Sequence, residues 1–219
     1  MNFPETLFSP PLLWAATGLM LLLLSLAAWR VPWRTLPHGA VSAWSAACVL
    51  LAAMWLVKAG LQPGLSFHLL GAAIFTLLMG PALALLALAL VLLLQVAAGQ
   101  LDWLALGLNF CVTLLPAVAV TALALRLAQR YLPAHLFVYV FVNAFLAGGL
   151  SLVVAAASGM ALLWLLGVYD WPYLLDNALP FYFLLSWSEA FTSGLVLSIM
   201  VVYRPQWVRS FDDARYLAR

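Results

Sequence analysis

Residues Phe67–Gln95 read FHLLGAAIFTLLMGPALALLALALVLLLQ and contain no Asp, Glu, Lys or Arg. So apolar a stretch belongs inside a protein or a lipid bilayer, and a helix needs roughly 20 such residues to cross the hydrocarbon core. Gly80 and Pro81 divide the stretch, because proline inside a helix removes a backbone hydrogen bond. We therefore predict two segments, His68–Met79 and Pro81–Ala98. The first is too short to cross, so it is a half-span buried by protein or part of a tight hairpin at Gly80-Pro81.

The whole chain has the same apolar character. Of its 219 residues, 67% are hydrophobic and 7% are charged, and its mean hydropathy is +1.11. Nine Lys and Arg, seven Asp and Glu and three His are too few to cover a water-exposed surface of this size. A soluble globule is excluded, so lipid must surround most of the protein. Cys48 and Cys111 form no CxxC pair or spaced framework, so neither a disulfide nor a zinc cluster is indicated.

Candidate membrane spans occupy most of the chain. The sixth of them is longer than one crossing requires, so we expect it to be tilted or broken near Gly148-Gly149 or Ser158-Gly159. The predicted fold is an all-α polytopic membrane protein of about seven transmembrane helices. We place the spans at Ser9–Trp29, Ala40–Val57, His68–Met79, Pro81–Ala98, Leu104–Leu127, His135–Leu166 and Leu179–Tyr203.

The basic residues predict the orientation of these spans. With the N-terminus outside, eight of the nine basic residues lie on the cytoplasmic side and only Lys58 lies outside. Since Lys and Arg accumulate in cytoplasmic loops, this distribution favours an outside N-terminus and a cytoplasmic C-terminus in the cytoplasmic (inner) membrane. The eight are Arg30, Arg34, Arg126, Arg130, Arg204, Arg209, Arg215 and Arg219, and the opposite side receives Glu5, Asp102, Asp170 and Asp176.

The residues before the first span do not look like a cleaved secretory signal. They include no Lys or Arg and contain Glu5. Pro4 and the pair Pro10-Pro11 prevent regular helix there, although Pro10-Pro11 suits the first turn of the first helix. We expect an ordered extended arm or a flexible tail. The predicted organisation is one transmembrane helical domain, residues 1–219, with an arm (1–8), a helix bundle (9–203) and a cytoplasmic tail (204–219).

A few polar residues lie within the predicted spans, where an unpaired polar group costs several kcal/mol. Glu189, in FLLSWSEAFTSG, is either a proton or cation site or a structural hydrogen-bond partner of a neighbouring helix or arginine. His68, which opens the third span, is either a metal ligand through its neutral imidazole or an interfacial histidine. For Asn109 and Asn143 we expect hydrogen bonds between helices.

Motifs of several enzyme classes are absent from the sequence. There is no P-loop, no HExxH and no GxSxG, and the polar residues supply no nucleophile and base pair. We therefore expect no enzymatic activity, no permanently bound cofactor and no nucleic-acid partner. Any ATP hydrolysis would take place in a separate subunit.

Four fragments, in chain order from Met1 to about Arg204, resemble one family. MNFPETLFSPPLLWAA is similar to M-H-I-x-[DE]-G-[FY]-L-x-P, and Phe67–Gln95 to an H-x-x-G-A segment followed by a helix pair with L-x-G-P-x-x-A and a terminal glutamine. Gly107-Leu108-Asn109 resembles a G-x-N element, and Ser188-Glu189-Ala190 to Gly194 a last span with a glutamate. These patterns are those of CbiM/NikM proteins, the membrane substrate-capture subunits of energy-coupling-factor importers for cobalt and nickel.

The resemblance implies a metal site at the free N-terminus. In that family the metal is held by the terminal amine, by the backbone amide and imidazole of a second-position histidine, and by the histidine of the H-x-x-G-A segment. These ligands correspond to Met1, Asn2 and His68, and Asn2 offers a carboxamide oxygen, a harder and weaker ligand than imidazole. Three outcomes follow: a site for another divalent metal such as zinc or cobalt, a ligand from elsewhere such as Glu5, or loss of metal binding.

By resemblance, the chain captures a transition-metal ion from outside and delivers it across the membrane. A transmembrane coupling subunit and ABC ATPases would supply the energy. Asn109 and Glu189 are candidate supporting residues, with Glu189 stabilising the bundle or serving proton release. One alternative is a membrane scaffold or assembly factor. The other is capture of a vitamin or other organic solute in a cavity lined by Trp14, Trp55, Asn109 and Trp187.

Overall fold

The computed structural model describes residues 2–35 and 40–216. Two strands, β1 (Ala59–Gln62) and β2 (Leu65–Phe67), pair in an antiparallel hairpin. Short 3₁₀ turns lie at Glu5–Leu7, Trp33–Thr35 and Pro205–Trp207. The helices of the described ranges are α1 (Pro10–Arg30), α2 (Ala40–Met54), α3 (Ala72–Met79), α4 (Pro81–Ala97), α5 (Leu106–Tyr131), α6 (Leu136–Leu165), α7 (Trp171–Asn177), α8 (Leu179–Tyr203) and α9 (Asp213–Tyr216).

The outer surface of the bundle is apolar. Helices α1, α5, α6 and α8 are long and apolar enough to cross a membrane, and α2 and α4 are shorter apolar helices. Large side chains such as Leu22, 57% exposed, and Leu184, 65% exposed, point outward. An extended apolar surface of this kind requires lipid as its solvent. The predicted all-α, multi-pass membrane fold is confirmed, while the number of crossings and the outward N-terminus stay predictions.

Prolines begin several helices. Pro10 opens α1 and Pro81 opens α4, and α7 and α8 each carry a proline in their first two positions. Proline fits there because the first N–H groups of a helix have no intrahelical acceptor to lose. The predicted start of the first helix at Pro10-Pro11 is therefore confirmed.

Helix α3 is a half-span buried by protein. Its residues Ala72, Ala73 and Leu77 are fully buried, and a single residue, Gly80, joins it to α4. Gly80 makes this turn with φ 82°, a conformation that favours glycine, and Pro81 begins the next helix. Burial by protein and a tight turn at Gly80-Pro81, which the two alternatives for this segment predicted, are both observed, and how far the segment enters the bilayer stays a prediction.

The segment before α3 differs from the sequence prediction. Helix α2 ends at Met54 instead of Val57, and the chain then forms the hairpin of β1 and β2, which the sequence analysis did not foresee. His68 therefore does not open a helix and lies in the loop between β2 and α3. The helix cannot extend back to His68 because Gly71 precedes it in the left-handed conformation, with φ 69°.

Helix α6 is continuous, so the predicted break near Gly148-Gly149 or Ser158-Gly159 is wrong. The helix departs from α-helical geometry earlier, in a π-helical stretch at Tyr139–Leu146. The glycine pair serves close packing: a Cβ on Gly148 would lie 2.8 Å from Ser193 Cβ of α8. Small residues at such positions allow helix backbones to approach within a membrane.

Loops gather at the two ends of the bundle. One end, called here the arm end, carries residues 2–9, the β-hairpin and the connection between α4 and α5. The other end carries the residues after α8, which fold back on the bundle. There Ser210 N donates to Leu77 O at 3.2 Å and the Arg215 guanidinium donates to Gln129 O at 2.6 Å. The buried side chains Val208, Phe211 and Tyr216 form a small hydrophobic cluster with this end.

Candidate metal site

The N-terminal arm is ordered and docks into the bundle. The Phe3 side chain is fully buried and meets Phe8 edge to face, with ring centroids 5.7 Å apart. The side-chain amide of Asn109 acts as a strand partner for Phe3, because Phe3 N donates to Asn109 Oδ1 at 2.9 Å and Asn109 Nδ2 donates to Phe3 O at 3.0 Å. Glu5 N donates to Asp102 Oδ2 at 2.9 Å. Of the two arm conformations predicted, the ordered one is correct.

His68 lies buried at the base of the arm. Its ring packs on Trp55, with centroids 4.6 Å apart. Its Nδ1–H donates to Leu69 O at 3.1 Å, since a carbonyl oxygen only accepts. In the neutral imidazole this tautomer makes Nε2 the acceptor nitrogen of the ring.

A small cavity of about 20 Å³ joins the arm to His68. A volume of roughly 10–15 Å³ already holds one water molecule, so this cavity suits a single ion or water. The structure thus brings Asn2 and His68, two predicted site residues, to one place. The third, Met1, lies outside the described residues. The lining residues are Asn2, Trp55, Lys58, His68, Leu92, Gln95 and Leu101.

The backbone carbonyl of Gln100 organises the rim of this cavity. Asn2 Nδ2 donates to Gln100 O at 2.7 Å, so the Asn2 amide is oriented with its nitrogen toward that carbonyl. The Lys58 ammonium donates to the same oxygen at 3.2 Å. Burial lowers the pKa of Lys58 below its ordinary value. The shared acceptor holds the arm, the α2–β1 connection and the α4–α5 connection together.

Glu189 holds the loop that carries His68. It is 1% exposed on α8, and its two carboxyl oxygens accept from Leu70 N at 2.7 Å and from Gly71 N at 2.8 Å. These two N–H groups lie at the beginning of α3, where the helix itself provides no acceptor. Glycine is favoured at position 71 because its φ is 69°, a left-handed conformation that other residues rarely adopt. Glu189 therefore forms structural hydrogen bonds, with the loop backbone instead of a helix or arginine, and its role as a proton or cation site stays a prediction.

The arrangement matches known proteins in both sequence and fold. The family model described as cobalt uptake substrate-specific transmembrane region, CbiM, matches residues 2–207. The chain belongs to the CbiM family. Membership makes it a multi-pass membrane protein of metal-ion transport, and it supports a substrate-binding subunit without enzymatic activity.

Two crystal structures resemble this CbiM-family chain. One, described as a transition metal transporter, has a TM-score of 0.76 and 23% sequence identity, with 91% of this chain and 92% of that chain covered. The other, described as a truncated transition metal transporter, has a TM-score of 0.76 and 22% identity, with 93% and 99% covered. At these identities the likeness establishes a shared fold. The comparison with curated proteins found no significant match.

Other predicted residues of the CbiM-family chain have different surroundings from those expected. Asn109 does not bridge two helices, because its amide is occupied by the arm and by Ala105 O, 2.9 Å from Nδ2. Asn143 is buried in α6, and within the described ranges its Oδ1 has no hydrogen-bond partner. Glu5, the suggested replacement ligand, is not among the residues that line the cavity.

The cavity suggested for an organic solute does not form in the described part of the chain. Trp14 is 60% exposed and Trp187 is 49% exposed on the outer surface of the bundle, while Asn109 is sealed by the arm. Tryptophan is common at the surfaces of membrane proteins because its ring is apolar and its N–H can reach the wetter interface. Of the four suggested residues, only Trp55 lines the cavity beside His68.

Sequence reasoning missed Gln95 and Lys58 as cavity residues. Gln95 was noted only as the end of a family-like segment, although a glutamine in the last turn of an otherwise apolar helix is itself a signal of a buried polar role. The residues that line the cavity include few ionisable side chains. Within residues 2–35 and 40–216, no group of three or more His, Cys, Asp or Glu side chains could hold a metal ion.

Proposed function

We propose that this chain captures a divalent transition-metal ion at the arm end of the bundle. Met1 would contribute its amine, Asn2 its carboxamide or backbone amide, and His68 its Nε2. The observation that carries this proposal is the cavity that Asn2 and His68 share. In the predicted orientation that cavity opens from the outside of the cell.

The docking of the arm supports this ligand set. Phe3 is held on both its N–H and its carbonyl by Asn109, so the backbone of the residue before it has a defined position beside His68. Preorganised ligands bind an ion more tightly because the arm loses little freedom on binding. The cavity volume of about 20 Å³ also favours an ion over the alternative substrate, a vitamin or other organic solute, since organic ligands occupy pockets of roughly 300–1,000 Å³.

The donor set bears on which metal is captured. A histidine in place of Asn2 would complete a nitrogen-rich site suited to nickel, whereas a carboxamide oxygen is a harder ligand. We therefore favour cobalt or zinc over nickel. If the protein binds no metal ion, it differs from its family in substrate binding, which is the third outcome that Asn2 allows.

Delivery across the membrane requires partners. The chain has no P-loop, so energy for uptake would come from ABC ATPases that act through a transmembrane coupling subunit of the energy-coupling-factor type. The chain would then be the substrate-specific subunit in the cytoplasmic membrane.

Elemental analysis of the purified protein tests the proposal. The protein with its free N-terminus is equilibrated with cobalt, nickel and zinc and compared with an N-terminally extended form and with His68→Ala. We expect stoichiometric metal in the first and loss in the other two. Absence of metal from all three would refute metal capture, whereas a scaffold or assembly factor would retain its function in His68→Ala.

A further inference from the structure

The orientation of the Gln95 side-chain amide is determined by its hydrogen bond to the backbone of α2. It lies in the last turn of α4, is 5% exposed, and its Nε2 donates to Ala52 O of α2 at 2.7 Å. A backbone carbonyl only accepts, so the nitrogen must face Ala52 and the Oε1 atom must lie on the other branch of the amide.

The Oε1 atom is therefore the part of Gln95 available to the cavity. Gln95 lines the cavity with Asn2 and His68, whereas Ala52 does not. Among the described residues, the hydrogen bond recorded for the Gln95 side chain is the one that Nε2 donates to Ala52 O. Lys58 also lines the cavity, but its ammonium donates to Gln100 O. Since Gln95 Oε1 is not one of the fully enclosed polar atoms without a partner and Gln95 lines the cavity, an occupant of the cavity can reach this oxygen.

A neutral carboxamide oxygen is a suitable partner for a divalent cation. Asn and Gln side-chain oxygens bind hard and borderline cations, and such ligands reduce the share of nitrogen in the site. The oxygen of Gln95 comes from α4, and the bond from its amide nitrogen to Ala52 O of α2 fixes the orientation of the amide.

We propose that Gln95 Oε1 is a direct ligand of the captured cation, in a mixed nitrogen and oxygen site with His68 and the arm. This assignment rests on the proposed function. This oxygen would replace the imidazole ligand that a histidine at position 2 would supply. The site would then bind cobalt(II) more tightly than a site formed by the arm and His68 alone.

Two substitutions at Gln95 distinguish a role as metal ligand from a role in holding α2 through the hydrogen bond to Ala52. Gln95→Leu removes both the ligand oxygen and the bond to Ala52, whereas Gln95→Glu keeps an oxygen but loses the amide donor. We expect Gln95→Leu to lose at least tenfold in cobalt affinity and to change the visible absorption of bound cobalt. We expect Gln95→Glu to bind cobalt at least as tightly as the unaltered protein.

The measurement is chelator competition on the full chain in detergent, with its free N-terminus. Gln206→Leu is the matched control, because it makes the same chemical change at the opposite end of the bundle, and Gln95→Met replaces Gln95→Leu if the latter does not fold. Cobalt affinity of Gln95→Leu within twofold of the control overturns the assignment. Equal losses in the Leu and Glu variants also overturn it, since support of α2 would then explain both. If the unaltered protein binds cobalt but Gln95 is dispensable, the proposed function stands alone; if it binds no metal, both fail.

Discussion

Removing the side chain of Glu189 should destabilise the loop that carries His68. Its two oxygens are acceptors for two consecutive backbone N–H groups, those of Leu70 and Gly71, at 2.7 and 2.8 Å. In Glu189→Ala both N–H groups remain buried without a partner, and each such group costs about 1–3 kcal/mol. The expected loss is about 2–6 kcal/mol, before any cost of the cavity left by the side chain.

Thermal unfolding of the purified protein in detergent measures this loss. A change of 1 kcal/mol corresponds to about 2–4 °C in a chain of this size, so we expect Tm to fall by about 4–24 °C. Glu189→Gln should lose less, because one acceptor oxygen remains while the amide NH₂ faces the second N–H. Metal content should fall with loop order in both variants.

Ser188→Ala is the matched control, since it alters the neighbouring residue of the same helix on an exposed position. If Glu189→Ala unfolds within about 1 °C of this control, the buried carboxyl group does not hold the loop and the reasoning fails.

Two further substitutions test the packing of the helices and the docking of the arm. Gly148→Ala would place a Cβ 2.8 Å from Ser193 Cβ, whereas Gly18→Ala, the control, meets nothing within 4 Å. In thermal unfolding we expect Gly148→Ala to lose about 1–3 kcal/mol of stability and Gly18→Ala to lose none. Equal Tm values for the two variants would contradict the close approach of α6 and α8. Asn109→Leu removes both hydrogen bonds to Phe3, so amide hydrogen exchange in the arm should accelerate at least tenfold, and unchanged exchange would mean that burial of the arm is sufficient.

Much of the fold could be predicted because its signals are local. The length of each apolar run, the prolines that begin helices and the Gly80-Pro81 turn act over a few residues, and the structure confirms the elements they predict. The β-hairpin was missed because its strands are only four and three residues long, and Gln62-Pro63-Gly64 between them fits a loop between two spans equally well. The break expected in α6 was wrong because its glycines allow helix packing without ending the helix.

Part of the candidate metal site could also be predicted from short stretches of sequence. Asn2 and His68 were identified from resemblance, and the tertiary structure places them at one cavity. The partner of Glu189 could not be read from the sequence, since Leu70 and Gly71 are 119 and 118 positions away. Backbone groups carry no sequence signal, so which N–H a buried carboxyl group binds depends on the packing of helices.

The sequence by itself determined that this protein is a bundle of apolar helices in a membrane, because hydrophobic length and the scarcity of charge leave no other solvent. Only the tertiary structure decided what its few polar groups do. Asn109 binds the arm, Glu189 binds the loop of His68, and Gln95 turns its amide toward Ala52. Each of these contacts joins segments far apart in the chain, and a buried polar group takes whichever partner the packed helices bring within hydrogen-bonding distance.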